Sequence, residues 1–331
     1  MTAAGRQPHG KREIAFEIFA GLALLAILAS LVPTDFWLVR SIDLVREPLV
    51  FLCTALGIAA FFIVRCRRWL IVGAFGLAAL INLWRMWPYL AIAPAQIASI
   101  GAPGAADDAC FSAMSINVKQ ENRDFAPVLE QIRLADPDIL LLMETDQRWL
   151  DALAPVLTAY PTLEEYPLDN AYGMAFATRL PFLEGTYVEN TSRDTPTFYG
   201  AMALPGGGAF EFIGLHPKPP LPGQSTAKRD ANIARAGSTT PRKAAEAIVM
   251  GDFNDVPWSR TTAGFREAGG WRDPRIGRGA YPTFPAGMTW LGWPLDQLMV
   301  KGDLTIKSFE VMEQTSADHR AMLATICAVE P

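Results

Sequence analysis

Ile248-Val249-Met250-Gly251-Asp252-Phe253-Asn254-Asp255 is an apolar strand that stops on a carboxylate and, two residues later, a carboxamide. Side chains two apart on an extended chain point to the same side, so Asp252 and Asn254 face one site. A carboxylate and a carboxamide delivered together to one site are a phosphoryl-transfer signature. Reading the other strand ends in order gives Asn117, Glu144, His216, Asp296, and Asp318 with His319, each a polar residue where an apolar strand stops. Any one of them alone reads as a turn or helix-cap residue. A set drawn only from Asn, Asp, Glu and His points instead to phosphoryl transfer, because hard cations and phosphorus centres call for oxygen ligands, a general base and a proton donor. The chain has 3 histidines; His9 lies in a basic leader, and the other two belong to this set.

The elements that must carry these residues alternate in type. Phe111–Asn117 predicts a strand, Asp124 caps a helix to about Ala135, and Asp138–Glu144 is a strand apolar enough to be covered on both faces. Thr145–Leu157 is helical. Strands follow at Thr162–Tyr166, Gly173–Thr178, Thr197–Leu204 and Ala209–His216, with Gly206-Gly207-Gly208 turning the last pair. Helices at Ser225–Ala236 and Ser259–Ala268 flank the 247–251 strand, and Pro294–Val300 and Arg320–Val329 are the closing strands. Many strands with helices outside them form a layered α/β sandwich.

Half of the 331 residues are hydrophobic, and the excess is concentrated near the N-terminus. Residues 14–32, 48–64 and 69–87 are three apolar runs close to the roughly 20 residues a helix needs to span a bilayer. They predict three transmembrane helices, with Glu17 and Arg85 near the interfaces and Trp69, Trp84, Trp87 and Tyr89 as interfacial aromatics. A cleaved signal peptide is the alternative for the first run, but it lacks a small-residue cleavage site and two further runs follow. The leader carries Arg6, Lys11 and Arg12 and the second loop Arg65, Arg67 and Arg68, against Arg40 and Arg46 in the first loop. That bias places the N-terminus in the cytoplasm and the rest of the chain beyond the third helix outside it. The expected organisation is a cytoplasmic leader (1–13), a three-helix anchor (14–90), a linker rich in Ala, Pro and Gly (91–109) and a catalytic domain (110–331).

From Gly101 onward there are 20 basic and 29 acidic residues, a net charge of −9. A domain of that sign gains no general attraction to a phosphate polymer. No zinc-like spacing joins the 4 cysteines. Pairing the first and last strands antiparallel, with Asn117 near His319, sets Cys110 almost opposite Cys327. The two form a cross-strand disulfide, as in an oxidising compartment, or remain buried thiols.

The order Asn117, Glu144, His216, Gly-Asp-Phe-Asn at 251–254, Leu-Asp at 295–296 and Ser-Ala-Asp-His-Arg at 316–320 resembles the endonuclease/exonuclease/phosphatase superfamily. Pancreatic deoxyribonuclease, AP endonucleases, inositol-phosphate 5-phosphatases and neutral sphingomyelinases belong to it. The likeness covers residues from about 110 to 329, and the leading helices make the chain look like a membrane-anchored bacterial branch. The resemblance implies a four-layer α/β/β/α sandwich with the site where the sheets meet. It implies Glu144 as principal Mg²⁺ or Mn²⁺ ligand with Asn117 and Asp318 supporting it, Asp252 as general base and Asn254 holding the water or a phosphate oxygen. It also implies a His319–Asp296 couple whose charged imidazole stabilises the phosphorus centre, and His216 as a donor to phosphate or leaving group.

The sequence departs from AP endonucleases, which carry an acidic residue where Lys119 stands and Tyr where His216 stands. Arg229 either supports the phosphate region or sits in an ordinary helix-surface ion pair. Trp290, Trp293 and Phe284 form either an apolar substrate rim or lid packing. The expected function is a membrane-anchored, metal-dependent phosphoesterase acting on a membrane-proximal phospholipid or headgroup, with no protein partner. An extracytoplasmic nuclease and a catalytically silent binding or sensor domain are the alternatives.

Overall fold

The computed structural model describes residues 10–101, 109–238 and 244–329. The chain divides into two compact units, residues 1–87 with 222–224, and residues 88–221 with 225–331.

The first unit contains α1 (Lys11–Ala29), α2 (Trp37–Arg40), α3 (Arg46–Ile63) and α4 (Arg68–Met86). Ala20 and Ile27 of α1, Cys53 and Ala60 of α3, and Ile71, Phe75 and Ala78 of α4 pack into one cluster. The outward faces are just as apolar, with Phe19, Leu25, Phe51, Phe62, Leu70, Leu80 and Trp84 exposed. Helices apolar all round belong in a core or a bilayer. The first run differs from the expected span: α1 starts at Lys11, ends at Ala29, and carries Lys11, Arg12, Glu13 and Glu17 near its start. Among the described helices, Arg46–Ile63 and Arg68–Tyr89 are long and apolar enough to cross a membrane. Asp43 accepts from buried Arg40 and Arg46, and Arg46 also donates to Asn82 and Ser30, so these three buried charges are paired.

The second unit contains β1 (Cys110–Asn117), α5 (Ala126–Ala135), β2 (Ile139–Met143), α6 (Gln147–Leu157), β3 (Thr162–Tyr166), β4 (Met174–Thr178), β5 (Phe182–Val188), β6 (Thr197–Ala203), β7 (Ala209–Gly214), α7 (Ala227–Ser238), β8 (Ala247–Asp252), α8 (Arg260–Gly269), β9 (Asp296–Lys301), β10 (Leu304–Val311) and β11 (Met322–Ala328). The strands form a six-stranded sheet, β10-β11-β1-β2-β4-β3, and a five-stranded sheet, β5-β6-β7-β8-β9.

Alternation along each strand builds the layers. On β2, Leu141 and Met143 meet Phe212, Ile248 and Met250 of the other sheet, while Leu140 and Leu142 meet Ile132 of α5 and Leu153 of α6. Ile213 and Val249 likewise cover Ile233 of α7 and Phe265 of α8. Four layers, α/β/β/α, result. Phe176 lies 4.3 Å from Phe198 and 4.9 Å from Phe212 between the sheets; each such ring contributes about 1.5–3 kcal/mol through burial.

Asp146 caps α6 through the Trp149 N–H, and Ser259 caps α8 through the Thr262 N–H. Asp124 makes no cap, since α5 starts after Phe125 with no side-chain bond. β5 and β10 were not expected. Both are sheet edges: β5 has most of its residues exposed, and β10 is interrupted by a bulge between Ile306 and Ser308 that breaks its period-two pattern.

Part of the expected linker is docked. Ile97 is buried in the inter-sheet core, Gln96 accepts the Asp273 N–H at 2.9 Å, and the Gly101 N–H reaches the Lys307 carbonyl at 3.0 Å. The remaining linker residues, 102–108, and His9 with the start of the leader lie outside the described residues. β1 and β11 run antiparallel with Cys110 opposite Cys327, and the two form a disulfide with Cα atoms 4.0 Å apart.

Candidate active site

Strand register brings the polar residues together. β1 and β2 are parallel with Asn117 beside Met143, so Asn117 lies next to Glu144. β8 and β9 are antiparallel with Asp252 opposite Asp296. The sheets meet where the Asp252 N–H points at the Met143 sulfur, 3.1 Å away.

Asn117 is fully buried and joins the two sides. Its Nδ2 donates to Glu144 Oε1 at 2.8 Å and to Asp252 Oδ2 at 3.3 Å, and its Oδ1 accepts the Lys119 N–H at 3.1 Å. Glu144 sits at φ 61°, a left-handed conformation that costs a non-glycine residue on the order of 1–3 kcal/mol and is sustained by its surroundings. Its Oε2 accepts the Gln120 N–H at 3.2 Å. Each carboxylate oxygen therefore keeps lone pairs for a further partner.

Asp252 lies at the centre. Its Oδ1 accepts the Asn254 N–H at 2.8 Å, and its Oδ2 stands 3.6 Å from His319 Nε2 and 3.8 Å from His216 Nε2. Gly251 before it sits at φ 138°, and a Cβ there would lie 2.0 Å from the Leu215 carbonyl oxygen; only glycine lets the strand approach so closely. Asn254, at φ 49°, donates through Nδ2 to the Pro217 carbonyl at 3.0 Å, which ties the strand end to the His216 loop.

His319 Nδ1 lies 2.8 Å from Asp296 Oδ2, and Phe284 covers the imidazole with ring centroids 4.7 Å apart. Burial alone would strip the proton from His319. Asp296 first and Asp252 second outweigh that burial and push its pKa up to about 10, so the ring is an imidazolium at neutral pH. Burial raises the Asp252 carboxyl above the ordinary carboxylate range, and Asp296 adds to this, while His319 and His216 oppose. Asp252, Asp296 and His319 offer ligand atoms all within 4.8 Å of one another, and His319 Nδ1 is already engaged by Asp296 at 2.8 Å. His319 and Asp296 thus form a hydrogen-bonded couple beside the Asp252 carboxylate.

Three further sequence candidates lie around this centre in different ways. Asp318 is bridged by Lys119 at 3.1 Å, and that hydrogen bond raises the lysine's pKa. Arg229 is buried rather than a surface helix residue: it donates to the Asn254 carbonyl at 2.9 Å and to Asp230, and lies 3.4 Å from Asp255. Trp290 is 74% exposed, while Trp293 stacks on Phe284 at 6.0 Å. Residues that strand-end reading passes over also reach the centre. Tyr172 packs on His216 with centroids 5.3 Å apart, and buried Arg275 donates to the Asp296 carbonyl at 3.1 Å. Tyr172 precedes a strand instead of ending one, and Arg275 lies in a loop with no periodic signal.

The profile of the Endonuclease/Exonuclease/phosphatase family matches residues 114–319, from β1 to His319. The chain belongs to this family. It is accordingly a hydrolase of phosphate esters, the reaction class of the family, whose members depend on divalent metal. No curated protein matches the chain.

Solved structures share the fold at low identity. A humanized Danio rerio TDP2 matches at 13% identity and a TM-score of 0.57, over 66% of this chain and 99% of that one. The human Nocturnin catalytic domain with bound sulfate matches at 17% and 0.54, over 66% and 95%. A mannosyl-6-phosphatase of Bacteroides thetaiotaomicron matches at 15% and 0.54, over 65% and 99%.

Proposed function

We propose that the chain is a membrane-anchored phosphoesterase using Mg²⁺ or Mn²⁺, with its catalytic unit outside the cytoplasm and a membrane-proximal phosphodiester or phosphomonoester as substrate. A phospholipid or its headgroup is the favoured class. The observation that carries the chemistry is a buried Asp252 set between Asn117, His216 and His319, with Asp296 behind His319.

Asp252, its proton affinity raised by burial, takes the proton of the attacking water, and Asn254 fixes the strand end that presents it. The His319 imidazolium, held charged by Asp296, offsets negative charge building on the phosphoryl oxygens. His216 donates to a phosphate oxygen or to the leaving group. Glu144 is the principal ligand for the cation, which its half-buried carboxylate and remaining lone pairs suit. Asn117 orients it, and Asp318, paired with Lys119, adds charge at the rim. When bound, the cation supplies Lewis-acid polarisation of a phosphoryl oxygen. Arg229 acts by holding the Asn254–Asp255 turn, and Trp290 is a substrate-contact candidate only through its exposure.

The membrane reading is supported by two apolar helices, by the exposed apolar faces of the first unit, and by a catalytic unit whose chain begins at Pro88, directly after α4. The Cys110–Cys327 disulfide suits an oxidising compartment, and with α1 as a third span beside those two helices the basic residues flanking α1 and α4 favour a cytoplasmic N-terminus and an extracytoplasmic catalytic unit. The test is full-length protein in phospholipid vesicles with Mg²⁺ or Mn²⁺, offered lipid, plasmid DNA, RNA and small phosphate esters. Lipid turnover that Asp252→Asn abolishes is expected. Plasmid nicking without lipid turnover replaces the substrate assignment with an extracytoplasmic nuclease, and no hydrolysis of any ester sinks the catalytic roles.

A further inference from the structure

Tyr172 is built into the site with more support than a wall residue needs. Its loop, residues 167–173, is clamped by Gln120, whose Nε2 donates to the Leu168 carbonyl at 2.7 Å and whose Oε1 accepts the Ala171 N–H at 2.9 Å. The same Gln120 gives its backbone N–H to Glu144, so one residue fixes the carboxylate and the loop together. Leu168 and Gly173 bond the backbone of Thr145, the neighbour of Glu144. A Cβ on Gly173 would lie 1.8 Å from the Thr145 carbonyl oxygen, so this approach too requires glycine. Asn170 donates to the Asp194 carbonyl at 3.0 Å and accepts the Tyr172 N–H at 3.0 Å. Ala171 is held at φ 63°, a strained conformation for alanine.

What this loop presents is one half-buried phenol. The ring lies on His216, and Lys218 Nζ stands 5.9 Å from its centroid. Burial first, then the Glu144 and Asp252 carboxylates, push the hydroxyl up to about 12. The group is close enough to sense both acids, and it remains a donor at working pH. Among the described residues no protein acceptor receives that proton; the residue's one hydrogen bond is through its backbone. A strained, doubly clamped loop that delivers an unused donor to the edge of a charged centre calls for a ligand oxygen.

We propose that Tyr172 is a substrate-contacting residue whose hydroxyl donates to an oxygen of the bound phosphate ester beside His216, while Lys218 holds the ring and adds positive charge there. The assignment rests on the phosphoesterase reading and extends it to a residue outside the polar strand ends. A purely structural tyrosine, wedging His216 in place, would need only its ring.

Tyr172→Phe separates the two roles, because it keeps the ring and removes the donor. Full-length protein with Mg²⁺ is assayed on bis(p-nitrophenyl) phosphate, and inorganic phosphate binding is followed by calorimetry. A hydrogen bond to a charged oxygen predicts a fall in kcat/KM of roughly ten- to a hundredfold and a comparable weakening of phosphate binding, with Tm unchanged. Wild-type values for both in Tyr172→Phe overturn the proposal, as does a wild-type protein that binds no phosphate. Phosphate binding without hydrolysis of any ester overturns the phosphoesterase reading instead, and the effect of Tyr172→Phe on that binding then still decides the tyrosine's role.

Discussion

Asp296→Asn removes one negative charge beside His319 while keeping the size and a hydrogen-bonding end. The imidazole is 5% exposed, and its Nδ1 lies 2.8 Å from Asp296. Raising it from 6.5 to about 10 against that burial favours the imidazolium by roughly 5 kcal/mol at about 1.4 kcal/mol per pH unit. In the variant Asp252 remains, 3.6 Å from Nε2, but burial loses its main opponent, and the ring is expected to titrate near or below an ordinary histidine. The sign follows from linkage. A histidine raised in the folded state stabilises the fold fully below its unfolded value of 6.5, and that contribution is lost as pH rises through about 10. The wild type should therefore lose stability across this alkaline window, and Asp296→Asn, already less stable at neutral pH, should show a flatter dependence.

The assay is ¹⁵N-histidine NMR on chelator-treated protein, with three histidines in the chain and His216→Gln to separate the two in the site. Denaturant unfolding at neutral and alkaline pH is run beside it. A wild-type His319 neutral at about pH 8, in the range of ordinary histidines, or a variant still protonated there, refutes the reasoning.

Arg229→Met removes the buried cation beside the Asp230 and Asp255 carboxylates and should cost about 3–5 kcal/mol in unfolding experiments; a raised KM with unchanged stability would instead mark Arg229 as a substrate contact. Reducing the Cys110–Cys327 bridge, which spans 217 residues of sequence, should lower stability by about 2–5 kcal/mol, read as the difference in Tm with and without reductant. Chelation should abolish activity and Mg²⁺ or Mn²⁺ restore it, with Glu144→Gln needing at least tenfold more metal, on the order of what losing one ligand costs; activity indifferent to chelator would remove the metal from the reaction.

Much of the catalytic unit was legible in the chain because its signals are local. Strands of period two apolar on both faces, such as Ile139–Met143, can sit only between two layers, and polar residues ending them accumulate at one edge of the sheets. The opposition of Cys110 and Cys327 follows from the same counting once β1 and β11 are paired. Edge strands β5 and β10 were not legible, because a solvated edge imposes little pattern on β5 and a bulge breaks the period of β10. Of the three apolar runs the first is the least clear, because α1 takes Lys11, Arg12, Glu13 and Glu17 into its first turns, while α3 and α4 are each long and apolar enough to cross a membrane.

What the sequence by itself determined is the inventory of groups and the order in which strands deliver them. Only the tertiary structure decided that Asn117 bridges Glu144 and Asp252, that Arg229 is buried under the Asn254 turn, and that a loop opening β4 lays Tyr172 on His216. Those relations depend on contacts between residues far apart in the chain, down to the missing Cβ atoms of Gly173 and Gly251. Propensity and periodicity describe neighbours along the chain, and they carry no information about which distant backbones approach one another.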